Sequence, residues 1–195
     1  MTAEQAPAFP DWLRPPPGGF TSESLDVIPD LPPHTELIDG SLVLVSPQSR
    51  FRAVVVSALE GALRGSAPAS LRVRREMTVT LGPHQRPEPD VLVVRAGADR
   101  GLEQTDYAAA DVVLAIEVVS PDSTTRDRVR KPQLYAEAGI PHFWRVENKS
   151  GEAVVYVYEL DPATSTYGLS GIHREQLTLS APFPIDIDLT EIHRL

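Results

Sequence analysis

A mixed α/β domain is predicted by three features of this sequence. Residues 90–95, DVLVVR, and 112–119, VVLAIEVV, are nearly continuous β-branched runs, the pattern of strands covered on both faces inside an α/β sheet. Residues 51–65 place Val54, Val55, Ala58, Leu59 and Leu63 at helical spacing. A second helical stretch, residues 128–140, follows the second run and ends at Gly139 with Pro141 beyond it.

Residues 1–33 hold Pro15, Pro16, Pro17, Pro32 and Pro33 with Gly18 and Gly19, and read as an extended Pro-rich arm ahead of a single domain over 34–195. In TELIDGSLVLVSP, Asp39-Gly40 between apolar-leaning segments predicts a hairpin with a type I′ turn. The helix over 51–65 is expected to stop at Gly65. Residues 71–81, LRVRREMTVTL, alternate in part and suit one strand near a sheet edge. In the helix over 128–140, Pro132 either falls in the first turn, where its missing N–H is harmless, or kinks the helix. HFWRVE (142–147) and AVVYVYEL (153–160) are two further strands joined through Asn148-Lys149-Ser150-Gly151. A turn near Pro162 and a last strand at about 175–180 complete the chain.

Composition narrows the function. The 195 residues include no cysteine, which excludes disulfides, thiolate metal sites and cysteine nucleophiles and fits a cytoplasmic protein. No stretch approaches the run of about 20 apolar residues that a membrane helix needs, and the N-terminus lacks the pattern of a secretory signal. The formal net charge is −9. Duplex DNA is bound largely by cations that neutralise phosphates, so a DNA partner requires local basic patches. Two runs offer them: Arg72, Arg74 and Arg75, then Arg126, Arg128, Arg130 and Lys131. The bland alternative for each is a solvated face.

Glu117 is the residue that most needs explaining. A carboxylate inside a doubly covered strand costs several kcal/mol unless it is paired, protonated or bound to a cation. Asp90 opens the other apolar run, and consecutive strands are often neighbours, so the two acids can share a site. Paired carboxylates with room for water are the usual way to hold Mg²⁺ or Mn²⁺. The alternative is that Glu117 sits at the strand end and is tolerated near solvent or an arginine. Lys131 is the lysine nearest in sequence; with Asp127 four residues earlier it could equally be an ordinary helical ion pair worth a few tenths of a kcal/mol. Glu88 is a loop acid or lies just outside the pair.

Glu36-Leu-Ile-Asp39-Gly40, Ser46-Pro47, Pro89-Asp90-Val91, Glu117-Val-Val-Ser120-Pro121, Asp127-x-x-x-Lys131-x-x-x-Tyr135-x-x-x-Gly139 and His142-Phe143-Trp144 follow one another in order. Over roughly residues 34–192 this pattern resembles the Uma-type (Uma-two) restriction endonuclease family, a bacterial branch of the PD-(D/E)xK nuclease superfamily. The resemblance implies a restriction-endonuclease-like αβββαβ core with an N-terminal hairpin and extra C-terminal strands. It further implies Mg²⁺ or Mn²⁺ held by Asp90, Glu117 and the main-chain carbonyl of Val118, Lys131 as the catalytic lysine, and Glu36 as an accessory acid. Two departures stand out. The superfamily's lysine would fall at Val119, and in the Uma-type branch it comes instead from the following helix, where Lys131 lies. Relatives often carry a histidine where this chain has Arg52.

Three functions follow: a Mg²⁺-dependent DNA endonuclease, a non-catalytic nuclease-fold binding module, and a small-nucleotide phosphoesterase, which would suit the acidic surface. No Gly-x-Ser-x-Gly elbow, P-loop or His-x-His spacing points elsewhere. His34, His84, His142, His173 and His193 are read as surface or turn histidines. Phe143, Trp144, Tyr156 and Tyr158 are read as core or as an oligomer interface, with a homodimer left open.

Overall fold

A computed structural model describes residues 13–194, with side chains as far as Ile192. Within the N-terminal segment a single helical turn, α1 (Ser24–Val27), is followed by a hairpin of β1 (Glu36–Ile38) and β2 (Ser41–Val43). Asp39 and Gly40 turn it with φ of 51° and 71°, the two positive values that a type I′ turn demands. The arm is not free of the domain. Phe20 and Ser22 are buried, the Phe20 N–H donates to the Gly40 carbonyl, and the Ser22 hydroxyl donates to the Gly82 carbonyl. Gly19 crosses the hairpin turn so closely that a Cβ there would lie 2.9 Å from the Gly40 oxygen.

The helix α2 (Arg50–Ser66) starts at Ser49, whose side chain accepts the Arg52 N–H. It buries Val55, Val56, Leu59 and Leu63. Gly65 does not stop it. Pro68 does, by forcing Ala67 into extended backbone (φ −65°, ψ 131°).

The stretch 71–81 is two strands, β3 (Leu71–Arg75) and β4 (Thr78–Thr80), separated by Glu76 at φ 52°. β5 (Val91–Arg95), β6 (Asp106–Ala108) and β7 (Val112–Val118) come next, and β4 pairs with β6 in a small parallel sheet of their own. After β7 the chain makes one wide π-helical turn, Arg126–Arg130, and enters α3 (Lys131–Glu137) with Pro132 in its first turn. β8 (His142–Lys149) and β9 (Glu152–Asp161) are joined through Ser150 and Gly151, both at positive φ.

The tail holds more than one strand: β10 (Thr166–His173), β11 (Gln176–Leu179) and β12 (Ile185–Asp188). β10 escapes sequence reading because it is an edge strand with no continuous apolar face, interrupted by Gly168 and Gly171 and by a bulge between Leu169 and Gly171.

Six strands form the main sheet in the order β10-β9-β8-β7-β5-β3. Only β7 and β8 run parallel, joined through α3; the other neighbours are antiparallel. The element sequence α2-β3-β5-β7-α3-β8 is the expected αβββαβ core. One face packs Val93, Ile116, Trp144 and Val155 against Leu59 and Leu63 of α2 and against Leu177 and Ile187. The other packs Leu92, Val94, Ala115 and Phe143 against Val79, Tyr107, Tyr135 and Ile140. Burial on both faces explains why β5 and β7 read as unbroken apolar runs. Phe143 and Trp144 are core residues, whereas Tyr156 and Tyr158 lie under the Arg145 guanidinium, 4.7 and 5.4 Å from it.

Candidate active site

At one end of the paired strands β5 and β7, the last ladder partners are Val91 and Ile116. One step beyond them Asp90 stands opposite Glu117, and both side chains are buried. The Asp90 carboxylate accepts two bonds: Oδ2 from the Val118 N–H at 2.6 Å, and Oδ1 from Arg52 Nε at 2.5 Å. Arg52 comes from the first turn of α2 and reaches the pair directly. Burial pushes the Asp90 carboxyl up to about 6, against the pull of Arg52 and Val118.

Glu117 receives Lys131 Nζ at 3.0 Å on each oxygen and the Tyr135 hydroxyl at 2.6 Å on Oε1. The same ammonium lies 2.6 Å from Glu36 Oε1 and 3.7 Å from Asp127 Oδ1. Glu36, from β1, also accepts the Glu88 N–H at 2.8 Å. Asp127 is held by the Ser123 hydroxyl. Three carboxylates therefore share one ammonium. Burial works against a charge on Lys131, but Glu117, Glu36 and Asp127 outweigh it and hold the amine charged well above its usual range. Burial, with the negative charges of Asp127, Asp90 and Glu36, raises the Glu117 carboxyl well above the ordinary carboxylate range. Burial raises Asp127 as well.

These residues line one cleft of about 90 Å³ with Ser46, Pro47, Ser120 and Arg126. Asp90, Glu117, Lys131 and Glu36 are thus brought together, and Val118 lines the same cleft. Glu88 lies at its side, its carboxylate 2.6 Å from His34 Nδ1. Three participants were not singled out from sequence: Arg52 as the partner of Asp90, Asp127 as a buried acid, and Tyr135 as a donor to Glu117. The spacing Asp127, Lys131, Tyr135 was the available signal, since residues four apart share one helix face.

The basic runs do not form open patches. Arg74 pairs with Asp99, Arg75 with Glu60 and Glu76, Arg128 with Glu147, Arg130 with Asp39, and Lys131 with the site acids. Arg72 bonds the carbonyls of Ala69 and Leu71. An acidic protein with clustered arginines has spent most of them on its own carboxylates.

The donor set suits a hard divalent cation. Four buried carboxylates (Glu36, Asp90, Glu117 and Asp127) pair with only two cations, Arg52 and Lys131, so acidic groups are in excess over the cations they pair with. All the donors are oxygens, the preference of Mg²⁺ and Mn²⁺. Among the described residues no three His, Cys, Asp or Glu side chains converge as a ready-made ligand set. No helix of the described residues is long and apolar enough to cross a membrane.

Comparison with known proteins gives a fold and a family. Among solved structures the chain is similar to one described as "a putative nuclease belonging to DUF820" from Anabaena variabilis ATCC 29413. The TM-score is 0.69 at 15% identity, over 90% of this chain and 98% of that one, which shows a shared fold. No curated protein matches the chain. The model of the Uma2 family, described as "Putative restriction endonuclease", matches residues 23–191. With most of its length matched in this way, the chain belongs to the Uma2 family.

Proposed function

We propose that this protein is a divalent-metal-dependent endonuclease that hydrolyses DNA phosphodiester bonds. The observation that carries this is the meeting of Asp90, Glu117 and Lys131 in one cleft whose buried acids outnumber its cations. Asp90 and Glu117 would hold Mg²⁺ or Mn²⁺ with the Val118 carbonyl, an oxygen donor set of the kind Mg²⁺ uses in phosphoryl-transfer sites. When bound, such an ion polarises a phosphoryl oxygen and makes its water more acidic. Lys131 positions the attacking water and offsets the charge that develops on the phosphate. Glu36 keeps that ammonium in place and fully charged. An enclosed small-nucleotide pocket is less well supported, since such sites run to about 300–1,000 Å³ and this cleft is about 90 Å³.

A second reading has one specific observation in its favour. Arg52 already occupies Asp90 Oδ1, so the fold holds itself together there without an added ion, as a non-catalytic binding module would.

Plasmid cleavage separates the two. With Mg²⁺ or Mn²⁺ the wild type is expected to nick and linearise supercoiled DNA, and Asp90→Ala and Glu117→Ala to abolish this while circular dichroism stays native. Calorimetric Mn²⁺ binding without cleavage under any condition would favour the binding module. Cleavage that survives both substitutions removes these residues from the chemistry.

A further inference from the structure

Of the two arginines that line the cleft, Arg52 is bonded to Asp90, whereas Arg126 feels the charge of the adjacent Asp127 but bonds no group. Arg126 Nε is buried and has no hydrogen-bond partner, and among the described residues its guanidinium makes no ion pair. A buried donor left unmade is rare in folded proteins and asks for an explanation. The neighbouring acid does not supply one: Asp127 accepts the Ser123 hydroxyl through Oδ2, and its Oδ1, 3.7 Å from the Lys131 ammonium, has no hydrogen-bond partner either.

The backbone explains how Arg126 comes to face the site. It opens the π-helical turn that precedes α3, and the Lys131 N–H donates to its carbonyl across that wide turn. The turn stacks Arg126 one step before the lysine that touches Glu117. Single π turns recur at functional sites for this reason: they re-aim a side chain without ending the helix. Around it the cleft presents Glu36, Asp90, Glu117 and Asp127, a wall that repels any phosphate.

We infer that Arg126 is the anion-binding element of this cleft, a positioning residue that grips a backbone phosphate of the DNA. This rests on the nuclease reading above and deepens it by naming how an acidic protein admits an anionic substrate. A planar guanidinium with five donors suits a phosphate oxyanion, which it can meet with two parallel bonds. The phosphate would satisfy the orphaned donor and, with the ion, offset the acidic wall. Of the remaining arginines of both runs, Arg74, Arg75, Arg128 and Arg130 stay with carboxylates and Arg72 with main-chain carbonyls, so the contact is local and not a broad basic face.

The test uses a fluorescein-labelled 20-base-pair duplex, followed by anisotropy across a salt series, alongside Mn²⁺ calorimetry and plasmid cleavage. Arg126→Gln, which keeps the stem of the side chain, is expected to weaken duplex binding about tenfold, the size of one charge-assisted contact. It should also lower the slope of log affinity against log salt by about 0.9, one phosphate contact, and raise KM for plasmid with a smaller change in kcat. Mn²⁺ affinity should stay at the wild-type value. Arg126→Lys should restore the salt slope and only part of the affinity. A wild type that cuts DNA while Arg126→Gln keeps its affinity, slope and KM overturns this assignment and leaves the nuclease reading standing. A wild type that neither binds nor cuts the duplex overturns both. Binding of inorganic phosphate through Arg126 without any effect on duplex binding overturns the DNA assignment. If Arg126→Gln fails to fold, Arg126→Lys decides through duplex affinity and KM: a partial loss supports the assignment, and wild-type values overturn it.

Discussion

Arg52 Nε stands 2.5 Å from Asp90 Oδ1, a helix-borne cation locked to a carboxylate at the mouth of the neighbouring strand. The pair is a structural clasp between α2 and β5, and it occupies an oxygen that a metal ion would also seek. An ion bound as proposed would compete with the guanidinium for one ligand atom.

Arg52→Ala strands a buried acid. Loss of one partner of a buried ion pair costs about 3–5 kcal/mol, so the metal-free variant should melt well below the wild type. Added Mn²⁺ should raise its melting temperature by more than it raises that of the wild type, since no arginine has to be displaced. Scanning fluorimetry with and without Mn²⁺ reads both effects; equal shifts in the two proteins would refute the competition.

Lys131→Ala leaves Glu36, Glu117 and Asp127 without their shared ammonium. The expected destabilisation is about 3–5 kcal/mol in urea unfolding. Glu117→Gln in the same background should recover part of it, because neutralising one acid relieves the repulsion among the rest. An additive double mutant would show that the cluster is not coupled.

Tyr135→Phe deletes one bond to the buried Glu117 carboxyl and leaves that oxygen short of a donor. A loss of about 1.5–3 kcal/mol in stability is expected. Because the hydroxyl orients a proposed metal ligand, Mn²⁺ affinity should fall about tenfold, read by calorimetry. A stable variant with unchanged affinity would place Tyr135 outside the site's support.

Glu147 supplies a pH dependence away from the cleft. Burial alone would raise its carboxyl, but bonds from Lys149 and Arg128, with Arg145 beside it, hold it below the ordinary 4.5. The folded acid thus stays ionised to lower pH than the unfolded one. Its contribution is present above about 4.5 and is lost as pH falls through the lower folded value, because the unfolded chain takes up its proton first. Glu147→Gln should lower stability near neutral pH by about 1 kcal/mol and flatten the acid limb of the urea midpoint. An acid limb identical to the wild type would reject this assignment.

The αβββαβ order was legible because its signals are local. Doubly buried β5 and β7 must be apolar throughout, the Asp39-Gly40 turn requires positive φ, and Pro141 cannot continue a helix. Asp90 and Glu117 stood out because acids are anomalous in such strands. Edge strand β10 and the short β6 lacked an apolar signature of their own, β12 alternates over only four residues, and the break at Glu76 left none in the sequence.

Charge placement was decided only by tertiary structure. The sequence shows seven cations in two runs, yet which of them meet carboxylates depends on partners far along the chain: Asp39 for Arg130, Glu147 for Arg128, Asp99 for Arg74. The same holds for Arg52 on Asp90 and for the open guanidinium of Arg126. Backbone preferences act between near neighbours and are written in order, whereas a salt bridge needs two side chains to arrive at one place, and only the folded chain sets that distance.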